Sequence, residues 1–344
     1  MYFLNDSLIS LQYVLDNECK NAQKVILLDE NTKKHCLPIL LENVNGLKDA
    51  LMIEIESGEK NKNEKNLIKI ISALVNVSAD KGTVFLSLGG GVITDLGGLA
   101  AALYYRGIRH IEIPTTLLGM VDASIGGKNG INFGELKNQI GTITRPFFTC
   151  FYLPFLRTLG KRQISNGAAE MIKLALVADK AMWDKMKTKS PIEIGQDEGL
   201  ITRCIELKQR ICDEDFNDVN KRRILNFGHN FGHAIEAFAL KHSFDILHGE
   251  SIARGMYYET ILSRNILGFD TKEYSEILAY IQRYYAIKRT VDQYLQLLDY
   301  LRHDKKTFAG DQKFTLLQEI GYAKTNITVS EGEIMKLLLI LQSH

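Results

Sequence analysis

The stretch LSLGGGVITDLGG, residues 86–98, decides the fold because it joins a strand pattern to a helix pattern through three consecutive glycines. Glycine allows a ligand to approach the backbone closely, and the free N–H groups and partial positive charge of a helix start attract a pyrophosphate. The stretch does not have the GxGxxG spacing of the common dinucleotide-binding turn. On these residues alone, a phosphate-binding turn and an ordinary tight turn both stay open.

Segments typical of strands and helices alternate on both sides of this turn. The periodic segment NLIKIISALVNV (66–77) is typical of a helix. The strand-like segments are KVILLD (24–29), LMIEIE (51–56), TVFLSL (83–88) and HIEI (110–113). This alternation predicts βαβ units, and hence a parallel sheet, in the first half of the chain.

The second half of the chain has a different pattern. All five prolines lie in the first 191 residues, and from about residue 162 the apolar spacing becomes helical. The helical segments are AAEMIKLALVADKAMWDKM (168–186), LITRCIELKQRIC (200–212), YSEILAYIQRYY (274–285) and EGEIMKLLLILQ (331–342). A length of 344 residues suits two domains. We predict an α/β domain over residues 1–155 and an all-α domain over residues 156–344.

Composition and charge exclude several classes of protein. Lys and Arg number 42 and Asp and Glu 41, so a net charge of +1 provides no general field for a nucleic acid or an anionic membrane. The low-charge stretch 83–105 is interrupted by Asp95 and by glycines, which argues against a membrane span. The five cysteines form no CxxC pair, and no signal peptide is recognisable. We therefore expect a cytoplasmic protein whose anion-binding sites are local.

Two histidines in FGHNFGHAIEA (227–237) share one helical face. His229 and His233 are four residues apart, a spacing that suits two imidazoles on one metal ion but also occurs among core and surface histidines. A third ligand would have to come from another segment. Glu170, His248 and Glu250 are the candidates, and the spacing does not choose among them.

Basic side chains occur where packing alone would not select them. In a chain of nearly zero net charge, such a set suits one small anionic molecule, although each residue singly is typical of a solvated surface. Lys173 follows Glu170 by three residues on one predicted helix, which favours an ion pair. The full set is Lys128, Lys137, Lys173, Lys208, Arg222 and Lys306.

Taken together, six segments resemble the 3-dehydroquinate synthases, and they occur in the order found in that family. They are GGGVITDLGG (89–98), RGIRHIEIPTTLLGMVDASIGGKNGIN (106–132), LKNQIG (136–141), NGAAEMIK (166–173), RRILNFGHNFGHAIE (222–236) and LHGE (247–250). The similarity extends from about residue 24 to DKK (304–306). As a set, these motifs are far more specific than the glycine turn or the histidine pair.

The resemblance implies a lyase that converts 3-deoxy-D-arabino-heptulosonate 7-phosphate to 3-dehydroquinate and phosphate, on the pathway to chorismate and the aromatic amino acids. NAD oxidises a substrate hydroxyl transiently, phosphate leaves, the ketone is reduced again, and an intramolecular aldol reaction closes the ring. The resemblance also implies a Rossmann-like NAD-binding domain, a helical domain that binds zinc or cobalt, and a homodimer. The partner molecule is thus a phosphorylated sugar acid, not a nucleic acid or a membrane.

By the same resemblance, the metal ligands are Glu170, His229 and His248, and His233 takes part in proton transfer near the substrate. Arg106 matches an arginine that reaches the phosphate in the neighbouring subunit. The other matching catalytic positions are Asp122, Lys128, Asn138, Lys173, Arg222 and Asn226, and the other substrate-binding positions are Lys137, Lys208 and Lys306.

The resemblance further assigns a set of positions to NAD. Considered as single residues, Asp95 also suits a helix start that favours a carboxylate, and Asn166 suits a helix cap. The positions are Asp29, Asn31, Glu59, Lys62, Gly90, Gly91, Asp95, Thr115, Thr116, Asp122, Lys128, Thr158 and Asn166.

A few residues depart from the family pattern. Asn129 stands where threonine is usual and Thr94 where glycine is frequent, and both bear on affinity rather than on reaction type. Two related activities stay open. One is another sugar phosphate cyclase, acting on a substrate without a carboxylate, and the other is a metal-dependent alcohol dehydrogenase of the glycerol dehydrogenase type, which would release NADH.

Overall fold

The computed structural model describes residues 2–3, 7–134, 136–285, 296–301 and 312–342. The chain divides into two compact units, Met1–Ile164 and Ser165–His344. This division follows Ile164, whereas the sequence prediction places the domain boundary after residue 155. The first unit contains a parallel sheet with helices and the second is mainly helical, so the predicted fold class is confirmed.

A parallel sheet forms the centre of the first unit. Its strands are β1 (Tyr2–Phe3), β2 (Lys24–Asp29), β3 (Leu51–Ile55), β4 (Val84–Gly89), β5 (Arg109–Pro114) and β8 (Phe148–Cys150). Within the described residues these six strands follow the order β1-β8-β5-β4-β2-β3, with every pair parallel. Four of them correspond to the four predicted strand segments.

A separate antiparallel hairpin lies in the same unit. It consists of β6 (Lys128–Phe133) and β7 (Leu136–Ile143). The sequence analysis does not predict this hairpin, because most of the side chains of β7 are exposed or half-buried and give no alternating apolar signal. The hairpin carries three residues that the resemblance assigns to the substrate or to catalysis, Lys128, Lys137 and Asn138.

Helices cover the sheet of the first unit. They are α1 (Ser7–Asn17), α2 (Glu30–His35), α3 (Leu37–Asn43), α4 (Glu64–Asn76) and α5 (Gly91–Leu103). Residues of α4 and α5, among them Ile70 and Leu96, form one core cluster with Val25, Leu27 and Phe85 of the sheet. The helix predicted from the periodic segment 66–77 is α4.

Helix α5 approaches the sheet closely because two of its residues are glycines. A Cβ atom on Gly97 would lie 1.8 Å from Ser87 Oγ of β4, and a Cβ atom on Gly98 would lie 2.0 Å from Asn129 Oδ1 of β6. Neither position can hold a larger residue without displacing the helix, since interiors are already close-packed. Gly97 and Gly98 are therefore required by packing.

The order of the strands creates a switch point in the sheet. The chain runs outward from β2 to β3 and then returns to β4, which pairs with β2 on the side opposite to β3. In open α/β sheets, ligands bind beside the carboxyl ends of the strands where the direction of winding reverses. Here the carboxyl end of β2 carries Asp29, its last residue, and the carboxyl end of β4 leads into the glycine turn.

The second half of the chain is mainly helical. Its helices are α6 (Lys161–Ala178), α7 (Lys180–Met186), α8 (Pro191–Gln196), α9 (Glu198–Glu214), α10 (His229–Lys241), α11 (His248–Leu267), α12 (Thr271–Tyr285) and α13 (Glu331–Gln342). Residues 296–301 are also helical. Among the described helices, none combines the length and the apolar character needed to cross a membrane.

One antiparallel hairpin interrupts this helical pattern. It consists of β9 (Gln312–Glu319) and β10 (Tyr322–Val329), and the sequence does not predict it. Four consecutive residues of β9, Phe314 to Leu317, are buried. A short apolar run of this kind lacks the alternation that distinguishes a strand from a buried helix segment.

A buried polar array lies on β4 and β5. Ser87 Oγ and His110 Nε2 are 2.8 Å apart, and His110 Nδ1 lies 3.9 Å from Glu112 Oε1. Burial lowers the pKa of His110 to about 3. Burial, and secondarily the charge of Asp95, raises the pKa of Glu112 well above its ordinary value. The imidazole is therefore neutral near pH 7, and its contact with Glu112 is not an ion pair.

The neutral His110 makes the stability of the protein depend on pH. Because its pKa falls from 6.5 in the unfolded chain to about 3 in the folded one, stability present above pH 6.5 is lost as the pH falls toward 3. Between pH 7 and pH 5 this group accounts for a loss of about 2 kcal/mol. We expect His110→Gln, which retains a hydrogen-bonding group beside Ser87, to remove that part of the loss. Chemical denaturation of both proteins at the two pH values measures it, and an equal loss in both would contradict the assignment.

Candidate active site

The three glycines of the deciding stretch join β4 to α5. Gly89 ends the strand, and Gly90 precedes the helix without a side-chain cap in the described structure. The backbone N–H of Thr115, after the adjacent strand β5, donates to Gly89 O at 2.9 Å. A Cβ atom on Gly90 would lie 2.9 Å from Thr116 Cγ2. The turn thus presents bare backbone at a helix start, next to the two threonines that the resemblance assigns to NAD.

A polar network lies beside this turn. Lys62 Nζ forms an ion pair with Asp95 and donates to Asn138 Oδ1 at 2.7 Å. Burial raises the pKa of Asp95 to about 6, although the charge of Lys62 opposes this shift. Glu59 joins the network through Asn132, whose Nδ2 donates to Glu59 Oε1 at 2.9 Å and whose Oδ1 accepts from the N–H of Asn138 at 3.0 Å. Asp95 thus takes part in an ion pair and lies beyond the first turn of α5.

The other predicted site residues of the first unit lie on several different elements. Asp29 caps α2 by accepting from the N–H of Thr32 at 2.8 Å, and Asn31 lies in that helix. Asp122 lies in the short π-helical turn Gly119–Ala123. The Thr158 hydroxyl donates to Phe155 O at 3.3 Å, and Arg106 lies on an exposed turn. The described contacts of Thr158 and Arg106 do not connect them to the network around Lys62.

The two departures from the family pattern face the protein interior. Asn129 is buried, and its amide nitrogen lies 3.2 Å from Gly127 O and 3.3 Å from Thr144 O. Thr94 is also buried, with its hydroxyl 3.2 Å from Gly91 O within α5. Both side chains have partners on the backbone of this unit, so both act through local packing.

The second unit brings together a carboxylate and two imidazoles. Glu170 lies on α6, His229 is the first residue of α10, and His248 is the first residue of α11. Each of the three offers one ligand atom, and these atoms all lie within 4.8 Å of one another. Glu170 Oε1 lies 3.4 Å from His248 Nε2 and 3.9 Å from His229 Nε2. The three residues form a group that is able to hold a metal ion.

Backbone contacts fix the starts of the two helices that carry the histidines. Before α10, Gly228 has φ +80, and the buried Glu259 of α11 accepts from its N–H at 2.6 Å and from the N–H of Asn230 at 3.1 Å. At the start of α11, Asn166 Oδ1 accepts from the N–H of Gly249 at 2.6 Å. Both helices therefore receive a cap from a side chain on another helix.

Charges in this group compensate one another. Burial opposes the charge of Glu170, but Lys173 and His248 outweigh it and hold the pKa of this carboxyl group far below its ordinary value. Lys173 forms an ion pair with Glu170, as the spacing predicts. Burial likewise opposes the charge of His248, but the carboxylates of Glu236 and Glu170 raise the pKa of His248 to about 10. His248 thus has a carboxylate beside each of its two ring nitrogens.

His233 lies next to this group but does not belong to it. Its ring centroid is 5.2 Å from that of His229 and 6.4 Å from that of His248, whereas the grouped donors are Glu170, His229 and His248. The ligand pair of His229 and His233 that the spacing allows is thus not the pair observed. Glu250, the other candidate, accepts from the N–H of Leu247 at 3.0 Å.

The remaining predicted positions of this unit are cations and an amide. Lys208 on α9 and Arg222 are both buried, and Arg222 lies in the same 3-10 turn as Asn226, Lys221–Asn226. The Arg222 guanidinium donates to Phe216 O at 3.0 Å. Helix α9 packs against this turn. Lys306 lies outside the described residues.

Two acidic residues of the site are missed by the sequence analysis. Glu259 caps α10, and Glu236 Oε1 lies 3.2 Å from His248 Nδ1. The sequence feature that could have identified Glu236 is its position seven residues after His229, which places it on the same face of the helix. Glu259 lies in a largely uncharged segment of α11, and nothing in its spacing indicates that it caps α10.

Comparisons with known proteins match both halves of the chain. A family model described as 3-dehydroquinate synthase N-terminal matches residues 52–166, and one described as 3-dehydroquinate synthase C-terminal matches residues 167–307. A 3-dehydroquinate synthase from Parabacteroides distasonis is 37% identical over 338 residues, which cover 97% of this chain and 93% of that protein.

Solved structures share the fold. A 2-epi-5-epi-valiolone synthase from Streptomyces hygroscopicus, with NAD⁺ and Zn²⁺ bound, has a TM-score of 0.80 at 28% identity over 96% of this chain and 94% of that one. A 2-deoxy-scyllo-inosose synthase complexed with carbaglucose-6-phosphate, NAD⁺ and Co²⁺ has a TM-score of 0.84 at 23% identity, covering 97% and 94% of the two chains. Since the family models span residues 52–307 and the Parabacteroides distasonis enzyme aligns with nearly the whole chain, this chain belongs to the 3-dehydroquinate synthase family.

Proposed function

We propose that this chain converts 3-deoxy-D-arabino-heptulosonate 7-phosphate to 3-dehydroquinate and phosphate, with NAD and a divalent metal ion as cofactors. The observation that carries the proposal is the convergence of Glu170, His229 and His248 beside the buried Lys173. It occurs in a chain that is 37% identical to a 3-dehydroquinate synthase. The product belongs to the pathway that leads to chorismate and the aromatic amino acids.

The donor set of the second unit fits a metal ion. Two imidazoles and one carboxylate are a ligand set that holds zinc at catalytic centres and leaves a position open for substrate. We propose that Glu170, His229 and His248 bind zinc or cobalt. Bound there, the ion would polarise the hydroxyl that is oxidised and the carbonyl formed from it. Lys173 keeps Glu170 ionised and so preserves the anionic ligand that the ion needs.

The first unit fits NAD. The uncapped start of α5 at Gly90 is suited to the pyrophosphate, and it lies at the switch point of the sheet, beside the end of β2 that carries Asp29. NAD would accept a hydride from the substrate and return it within one turnover. The 2-epi-5-epi-valiolone synthase with the same fold has NAD⁺ and Zn²⁺ bound.

The substrate carries a phosphate and a carboxylate, and the chain offers cations for both. We assign the carboxylate to Lys208, Arg222 and Asn226, because Lys and Arg side chains bind carboxylates through charge-assisted hydrogen bonds. Lys128, Lys137 and Asn138 on the β6–β7 hairpin, together with Lys306, are the other proposed substrate contacts. His233 lies next to the ligand group, where an imidazole can transfer a proton to or from a bound substrate.

The assay that tests the function is phosphate release from 3-deoxy-D-arabino-heptulosonate 7-phosphate in the presence of NAD and zinc. We expect release that a chelator abolishes and that zinc or cobalt restores, because the metal ion binds to side chains and can be removed. NADH absorbance should not accumulate, since the hydride returns to the substrate.

The same assay separates the alternatives. Turnover of a sugar phosphate without a carboxylate, with no reaction of the heptulosonate, would favour another sugar phosphate cyclase. Steady accumulation of NADH would favour an alcohol dehydrogenase. Substrate binding without any turnover would overturn the enzymatic reading.

The glycine turn makes a separate prediction about NAD. In Gly90→Ala the added methyl group would lie 2.9 Å from Thr116 Cγ2, so either the turn or the threonine must move. We expect the affinity for NAD to fall about tenfold or more, as measured by fluorescence titration or calorimetry. Gly332→Ala is the matched control, because its nearest neighbour, Ser330 Oγ, is 3.9 Å away. Equal affinities for both variants would argue against NAD at this turn.

Recognition of the carboxylate is tested at Arg222. We expect Arg222→Ala to lower kcat/KM for the heptulosonate about 10- to 100-fold, because a charge-assisted hydrogen bond to substrate is lost. Arg222→Lys should retain part of the activity, since the charge remains but the fork geometry does not. Arg210→Ala, an exposed arginine on α9, is the control. Unchanged turnover in Arg222→Ala would place the carboxylate elsewhere.

We also propose that the enzyme acts as a cytoplasmic homodimer. The five cysteines, all within the described ranges, are free and buried, which suits a reducing compartment. Arg106 lies on an exposed turn where Tyr105 and Arg106 both have positive φ values, 50° and 57°. Such a conformation costs energy in non-glycine residues, and the exposed side chain of Arg106 is accessible to a second subunit. Sedimentation analysis of the protein and of Arg106→Ala tests the dimer and the contribution of this residue.

A further inference from the structure

The two imidazoles of the ligand group present the same ring nitrogen, Nε2, to Glu170. His229 Nδ1 lies 3.2 Å from the backbone oxygen of Phe227, and His248 Nδ1 lies 3.2 Å from Glu236 Oε1. In both rings the other nitrogen, Nε2, faces Glu170 Oε1. A ring that donates its Nδ1–H to an acceptor has its Nε2 lone pair available for a metal ion.

The acceptors of the two rings differ in kind. His229 uses a backbone carbonyl two residues away, whereas His248 uses a carboxylate on another helix, α10. Glu236 is buried, and it lies on the face of α10 that also carries His229 and His233. One helix therefore supplies both a ligand and the group that orients a ligand on the next helix.

We propose that Glu236 is a positioning residue for the metal centre: it holds the His248 ring through Nδ1 and so aims Nε2 at the ion. This inference rests on the proposed binding of a metal ion by Glu170, His229 and His248. A carboxylate is a stronger acceptor than a carbonyl oxygen and makes the imidazole a better ligand, so His248 depends on Glu236 for both its orientation and its basicity. Glu236 itself does not touch the substrate in this role.

The test is the affinity for metal ions rather than activity. Zinc dissociation constants are measured for the metal-free full-length protein by competition with a chromophoric chelator, and Co²⁺ loading is followed by its visible absorption. We expect affinity for zinc to fall about 100-fold in Glu236→Ala and about tenfold in Glu236→Gln, since removal of such outer partners costs about 10- to 100-fold. The Co²⁺ spectrum of Glu236→Ala should change, because the orientation of one ligand is lost.

Glu236→Gln retains the shape of the side chain and so tests the charge if Glu236→Ala does not fold. Glu206→Gln removes the same charge from an exposed position on α9, and its zinc affinity should match that of the unaltered protein. The affinity of all variants for NAD reports on general structure, which misfolding of a Glu236 variant would disturb and loss of the positioning role would not.

The outcomes are distinct for the two proposals. If the unaltered protein binds neither zinc nor cobalt, the proposed metal site fails. If it binds zinc and Glu236→Gln binds it equally well, within about twofold of the unaltered protein, the metal site stands and the role of Glu236 is overturned, because an outer partner of this kind contributes at least about tenfold.

Discussion

The neutralisation of the buried charge of Glu170 is the constraint on which the second unit depends. An ionised carboxylate in a protein interior is costly unless cations or hydrogen-bond donors surround it. Lys173 lies one helical turn further along α6, and His248 approaches from α11. The same cluster that stabilises the carboxylate is therefore a set of ligands for a cation, and the need to compensate one charge brings three helices to one point.

Buried polar groups of the first unit occur in two forms, as a charged pair and as an uncharged group. Lys62 and Asp95 form an ion pair that is also tied to Asn138, so charge is retained where a charged cofactor is expected. His110 is instead neutral, because burial lowers its pKa, and burial shifts the pKa of Glu112 upward, toward its neutral form. The contrast separates residues that remain charged for a ligand from residues that belong to the core of the sheet.

The sequence predicts the parts of this structure that follow from local periodicity. The four strands are predicted because runs such as TVFLSL are apolar and contain β-branched residues, and α4 is predicted from its helical period. The hairpins are not predicted, because β7 is largely exposed and the central residues of β9 form a short continuous buried run. In the site, the spacing of His229 and His233 identifies a shared helical face but not which ring nitrogens converge with a residue on another helix. The resemblance assigns a role to His248 but none to Glu236 or Glu259, whose roles depend on contacts between helices.

Close packing of α10 against α11 determines the positions of His229 and His248, the two histidines of the proposed metal site. A Cβ atom on Gly255 of α11 would lie 1.9 Å from Gly228 O, and one on Gly232 of α10 would lie 2.6 Å from Ile252 Cδ1. Larger residues at either position would separate the helices, and with them His229 and His248, whose ring centroids are 5.7 Å apart. Since the proposed metal site requires its ligand atoms to remain within reach of one ion, glycine at these positions serves the geometry of that site as well as packing.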